Sequence, residues 1–384
     1  MNKKSKKKSN FGAYFQILLW MIVGGVCGFL FIKYSENYLA DAKLSIKLLS
    51  VAAMVICLYA SVIFNLIVHE AGHLIFGLMS GYKFGSFRIF NLMLLKADGK
   101  LKLKRLSIAG TGGQCIMCPP DIVDGKMPVV LYNLGGSIIN LLFGAVFLLV
   151  AILCKHIPVL FIASVIFSLV GFVTALMNGI PLSTDIINND GYNAISLRKD
   201  PLAMRSFWVQ LKTTEQIAKG ARLKDLPKEW FIIPTDEEMK NSMVSALGVF
   251  ACNKLMDEGK FEEADNLMAH FLEIESGIVG LHRFLMVCDR IYVEAIGQCR
   301  VDVIEKMMSP EQIRFMKQMK SFPSVIRTEY VYALLCKKDY EKAEGIMAYF
   351  EKAGKKYPYP QDIESERELI EIAKEKYNSQ NAKI

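Results

Sequence analysis

Histidine is scarce in this chain, five in 384 residues, and tryptophan scarcer still at three. Charge is missing unevenly. Asp, Glu, Lys and Arg make up 22% of the residues, yet the stretches 11–32, 48–68, 127–154 and 157–184 contain none of them. About 20 apolar residues at ~1.5 Å each cross the hydrocarbon core of a bilayer, so every one of these stretches is long enough, and a wholly soluble protein is excluded. Cysteine follows no disulfide pattern. The nine are odd in number and scattered, and Cys27, Cys57 and Cys154 lie inside apolar stretches; that excludes a secreted disulfide scaffold and suits reduced thiols. A composition that is 52% apolar also excludes a disordered tail.

The first stretch follows Lys3, Lys4, Lys6, Lys7 and Lys8, as a cleaved leader would. At 22 residues it exceeds a leader's apolar core of about 7–15, and no small-residue cleavage site precedes Lys33. It reads as a retained helix over about 11–32, with three more spanning helices at about 48–80, 127–154 and 157–180. Lys and Arg orient them. The arm 1–10 is basic and the segment 81–126 carries eight Lys and Arg, whereas the loop between the last two helices offers only Lys155. Both termini and the 81–126 segment are therefore expected in the cytoplasm. The net charge of +8 is a topology signal, not a nucleic-acid patch, and no nucleic acid is expected as partner.

Between the second and third helices, apolar and polar residues alternate over Phe84–Lys96 and again over Leu101–Leu106, separated by Asp98-Gly99. That pattern predicts a β-hairpin at about 84–106. Residues 195–384 have the composition of a soluble helical region. Within it, Asn253–Glu273 and Tyr332–Lys352 align without gaps, sharing Glu262/Glu341, Ala264/Ala343 and Phe271/Phe350 among others. Each reads as helix, turn, helix, similar to a tetratricopeptide hairpin, although the 79-residue offset does not suit a regular 34-residue array.

Two of the five histidines fall in His69-Glu70-Ala71-Gly72-His73. On a helix, positions i and i+4 share a face, so both imidazoles can reach one metal ion while the glutamate lies beside a metal-bound water. Zinc lowers the pKa of such a water toward about 7, and a carboxylate takes its proton. Glu70 is thus the candidate catalytic residue, and His69 and His73 are candidate zinc ligands. Ionisable groups at membrane depth are costly, which favours function over an ordinary polar helix end.

These residues resemble the site-2 protease group of intramembrane zinc metalloproteases, over roughly residues 48–195. In that group a three-helix core presents HExxH on its first helix, a Gly-Pro-x-x-Asn-like motif on its second, and an Asp of Asp-Gly as third ligand. Here Gly136-Ser137-Ile138-Ile139-Asn140 lacks the proline, and Asn178-Gly179-Ile180-Pro181 precedes Asp190-Gly191. The resemblance implies a metalloprotease domain over 11–194, zinc held by His69, His73 and Asp190, substrate binding by Asn140 and Asn178, and a membrane-associated hairpin between the core helices. It further implies a multi-pass protein of a bacterial plasma membrane that cleaves a membrane-embedded protein or peptide. The cytoplasmic helical domain would be a docking surface for a protein partner. The loop before Asp190 is longer than the group's usual spacing and brings a second acid, Asp185. Gly191 and the turn-forming Asn188 and Asn189 favour Asp190.

Two other readings use the same residues. One is a catalytically silent membrane scaffold acting through its helical hairpins. The other is a transporter with an intramembrane metal or proton site, against which stand the few helices and the lack of an inverted repeat. Cys115-Ile116-Met117-Cys118 has no second CxxC or nearby histidine and reads as loop.

Overall fold

The computed structural model describes residues 11–97, 99–108, 110–182 and 188–381. It is mostly helical and divides into two compact units, residues 1–80 with 128–198 and residues 81–127 with 199–384.

The first unit holds α1 (Phe11–Tyr38), α2 (Leu44–Met79), α3 (Val129–Leu153), α4 (Pro158–Gly179) and the short α5 (Asp190–Lys199). The first four are long and apolar enough to cross a membrane. Their packing is inverted relative to a soluble bundle. Leu148, Leu149 and Ile152 on α3 are exposed, while many buried positions are small or polar: Ser61, Asn65, His69, Glu70 and His73 on α2, Asn133, Ser137 and Asn140 on α3, Ser164 and Ser168 on α4. Lipid is as apolar as leucine, so helices gain by joining polar and small faces. Phe64, Phe143, Phe147 and Phe167 fill the space between α2, α3 and α4 with ring centroids 5.0–5.6 Å apart. Leu19, Val23 and Cys27 of α1 pack with Ile166, Val170 and Val173 of α4.

The second unit begins with an antiparallel sheet of β1 (Lys83–Ile89), β2 (Leu92–Ala97), β3 (Lys100–Arg105) and β4 (Gly113–Cys118), in the order β3-β2-β1-β4. The hairpin expected around Asp98-Gly99 is β2–β3, paired from Ala97 with Lys100 to Leu92 with Arg105, and the structure extends it to a three-stranded meander with a fourth strand added. The chain reverses at Phe90-Asn91, where Phe90 takes a left-handed φ of 52°. Buried Arg88 holds that turn, donating to the Phe90 carbonyl at 2.7 Å and to Thr111 Oγ1 at 2.5 Å. Cys115 and Cys118 lie on β4 rather than in a loop, and all nine cysteines are free.

Helices α6 (Pro201–Ala218), α7 (Ser242–Asp257), α8 (Phe261–Glu273), α9 (Gly280–Ile296) and α10 (Val301–Met307) follow. The unit ends with α11 (Pro310–Gln318), α12 (Pro323–Val331), α13 (Tyr340–Gly354) and α14 (Pro360–Asn381). The first look-alike stretch pairs the end of α7 with α8, and the second pairs a π-helical turn over Tyr332–Cys336, which continues α12, with α13; their equivalent Ala264/Ala343 and Phe271/Phe350 are all buried. Met93, Leu95 and Leu106 belong to the same core as these helices. The strand segment, grouped by chain order with the membrane helices, is therefore part of the second unit.

Candidate metal centre

Along α2 the buried polar residues Ser61, Asn65, His69 and His73 recur every four positions, which makes one stripe on an otherwise apolar helix. The stripe faces α3 at very short range. A Cβ on Gly72 would lie 2.3 Å from the Gly135 carbonyl oxygen, and one on Gly136 would lie 2.5 Å from His69 Cε1. The glycines of α3 thus let the two backbones meet and leave a slot for the imidazole.

The ring nitrogens divide their work. His69 Nδ1 lies 2.8 Å from Asn140 Oδ1, and His73 Nδ1 lies 2.8 Å from the Tyr132 carbonyl. A carbonyl can only accept, so His73 carries its proton on Nδ1. The His69 tautomer follows from a longer chain. Asn65 Nδ2 donates to the Ser61 carbonyl at 2.9 Å, Asn140 Nδ2 donates to Asn65 Oδ1 at 3.1 Å and to the Asn65 carbonyl at 3.0 Å, and Asn140 Oδ1 is left to accept from His69. Both Nε2 atoms are thereby left as lone-pair donors.

Asp190 completes the group. Its Oδ2 is 3.0 Å from His69 Nε2 and 3.4 Å from His73 Nε2, and the two Nε2 atoms are 3.2 Å apart. A tetrahedral zinc with bonds of about 2.0–2.1 Å holds neighbouring donors ~3.3 Å apart. The triangle therefore fits one face of that tetrahedron, and two imidazoles with one carboxylate are a suitable donor set for it. Glu70 is buried beside His69, 6% exposed.

Asn189 sets Asp190 in place. Its Oδ1 accepts from the backbone N–H of Tyr192 at 3.0 Å, capping α5, and from that of Leu182 at 3.0 Å, while Nδ2 donates to the carbonyls of Met177 at 2.8 Å and Ile180 at 2.6 Å. One side chain thus ties the end of α4 to the start of α5. Gly191 is needed for a different reason from the one expected. It sits inside α5, and a Cβ there would fall 2.2 Å from the Gly179 carbonyl oxygen, so it serves close approach and not an unusual turn.

Asn140, expected at the substrate, is fully buried, with its amide oxygen on His69 and its amide nitrogen on Asn65. Asn178 is half-buried and donates to the Thr174 carbonyl at 3.0 Å. Asp185 lies outside the described residues. No family model, curated protein or solved structure matches this chain.

Proposed function

We propose that the chain is a zinc-dependent intramembrane protease of the site-2 protease type. The observation that carries this reading is the triangle of His69 Nε2, His73 Nε2 and Asp190 Oδ2, with edges of 3.0–3.4 Å, beside a buried glutamate on a helix able to cross a membrane. Zinc held by those three groups would supply a Lewis acid and bring a water's pKa toward about 7.

The chain's own groups do the rest. Glu70 accepts a proton from the water as its oxygen attacks the peptide carbonyl, then passes that proton to the amine as the C–N bond breaks. Asn140 and the Tyr132 carbonyl hold the two imidazoles in the tautomer and orientation that ligation requires. Asn189 holds Asp190 against them. In this reading the enzyme belongs to a bacterial plasma membrane, with both termini in the cytoplasm, and its substrate is a membrane-embedded protein or peptide. The paired helices of the second unit form a tetratricopeptide-like surface for a protein partner.

Glu70→Gln keeps size and hydrogen bonding but removes the base. Cells carrying this variant should accumulate membrane-retained peptides that the unaltered protein clears, while the purified variant keeps its zinc. Clearance by the variant at an undiminished rate would end the proposal, and so would purified, unaltered protein without zinc.

A further inference from the structure

We propose that the second unit contains a binding site for a small phosphorylated anion bearing an aromatic or other planar group. The site is a cavity of about 240 Å³ between the β1–β2 turn, the segment leaving β3 and the end of α13. Its floor is tied into the unit, while Arg105, Lys352 and Lys356 border it from the exposed side. The Arg105 N–H donates to the Lys356 carbonyl at 3.0 Å and the Leu106 N–H to the Asn91 carbonyl at 3.1 Å, and Leu106 and Tyr357 are both part of the main core.

The charge of the lining is one-sided. Arg105, Lys352 and Lys356 line the cavity and no carboxylate does. Elsewhere in the unit Arg222, Arg290, Arg300, Arg327 and Arg367 each have an acidic partner. Arg105, Lys352 and Lys356 have no ion pair among the described residues. Three like charges around one cavity repel each other, and an anion inside it would relieve that repulsion. The neutral polar groups of the lining, the hydroxyls of Ser107, Ser321, Tyr349 and Tyr357 and the Asn91 amide, can all donate hydrogen bonds.

Two further features narrow the ligand. A phosphate monoester carries about −1.5 to −2 charges near neutral pH, which answers three cations better than a single carboxylate does. Phe322, Tyr349 and Tyr357 supply aromatic surface, with the Phe322 and Tyr357 rings edge to face at 6.3 Å. The cavity is smaller than the ~300 Å³ at which drug-sized pockets begin, so it suits one ring and one phosphate rather than a large cofactor.

The test uses the full chain in detergent and titration calorimetry with phenyl phosphate, inorganic phosphate and benzoate. Phenyl phosphate should bind in the millimolar range or tighter. Inorganic phosphate should bind more weakly for lack of a ring, and benzoate more weakly because it carries only one negative charge. Lys352→Gln with Lys356→Gln should weaken phenyl phosphate at least about tenfold, since charge-assisted hydrogen bonds carry the affinity. Both lysines are exposed, and an unchanged melting temperature without ligand confirms that the double variant is folded. Absence of binding at ~10 mM phenyl phosphate, equal binding by the double variant, or benzoate binding as tightly as phenyl phosphate would each overturn the proposal. None of these readouts depends on zinc or on proteolysis.

Discussion

Asn140 Oδ1 sits 2.8 Å from His69 Nδ1, across the gap between α3 and α2, and the same amide reaches back to Asn65 on α2 at 3.1 Å. A metal-ligating histidine needs such an acceptor on its far nitrogen, and loss of one costs about 10–100-fold in metal affinity. Asn140→Leu should therefore weaken zinc by that factor while the protein remains helical. Asn140→Asp keeps an acceptor for His69 and loses only the donor to Asn65, so its loss should be smaller. Chelator competition on purified protein measures both, and equal affinity in Asn140→Leu and the unaltered protein would remove Asn140 from this role.

Two glycines one helix apart should behave differently for a geometric reason. A methyl group at Gly136 meets the His69 ring, which can swing away, whereas one at Gly72 meets the Gly135 backbone carbonyl, which cannot. Gly136→Ala should leave the melting temperature nearly unchanged and abolish zinc binding. Gly72→Ala should lower the melting temperature, in the range of ~1–3 kcal/mol for overpacking. A stable, zinc-free Gly72→Ala would contradict this division.

The four long apolar helices were legible because their signal is local: a charge-free stretch of sufficient length needs no knowledge of its neighbours. HExxH was legible for the same reason, since the helical period alone brings His69 and His73 to one face. Asn65 and Ser61 extend that stripe at the same four-residue spacing, a signal available in the sequence but masked by the apolar residues around it. The β1–β2 reversal was hidden because Phe90 occupies the left-handed position where glycine or asparagine would announce a turn. Asn189 could be read only as a turn former. Its role depends on where the last carbonyls of α4 come to lie, and that is decided by packing. The partnership of the strands with the helices of the second unit rests on contacts distant in the chain, such as Leu95 with the helical core.

The second unit carries a buried charge cluster that makes its stability depend on pH. Arg327, 1% exposed, lies 2.5 Å from Asp289 and 3.4 Å from Glu366, with its guanidinium over the Tyr292 ring. Burial pushes Glu366 up to about 7 despite Arg327, with Asp289 raising it further, and burial with the nearby Asp257 pushes Asp362 up to about 7. Unfolded, these groups titrate near about 4.3 and 3.9. Between those values and 7 the folded chain holds protons that the unfolded chain releases, so stability falls as pH rises and the full loss is present above 7. His282, held down to about 4 by burial, acts in the opposite sense only below its unfolded value of about 6.5. The full chain in detergent should thus melt higher at pH 6.5 than at pH 8, and Glu366→Gln should flatten the difference. A melting temperature that rises from pH 6.5 to pH 8 would show that the cluster is not the controlling group.

In the proposed reading the third ligand decides whether the centre can work, because catalytic zinc takes three protein groups and leaves one position open. Asp190 lies at the start of α5, where Asn189 caps the helix and Gly191 allows the backbone to touch Gly179, and its Oδ2 stands 3.0 Å and 3.4 Å from the two Nε2 atoms. Asp190→Asn keeps the volume and an oxygen but removes the negative charge, so zinc should weaken by more than the ~100-fold upper range of a mere supporting partner. Asn189→Ala removes only the staple. It should weaken zinc within the 10–100-fold range expected for a supporting group and leave four unmet backbone groups, at the Met177 and Ile180 carbonyls and the Leu182 and Tyr192 amides, that lower stability as well. Asp185→Asn should change neither zinc nor activity. Full zinc and activity in Asp190→Asn, with both lost in Asp185→Asn, would move the ligand to Asp185 and leave the short contacts of Asp190 with the histidines as an ion pair without a metal.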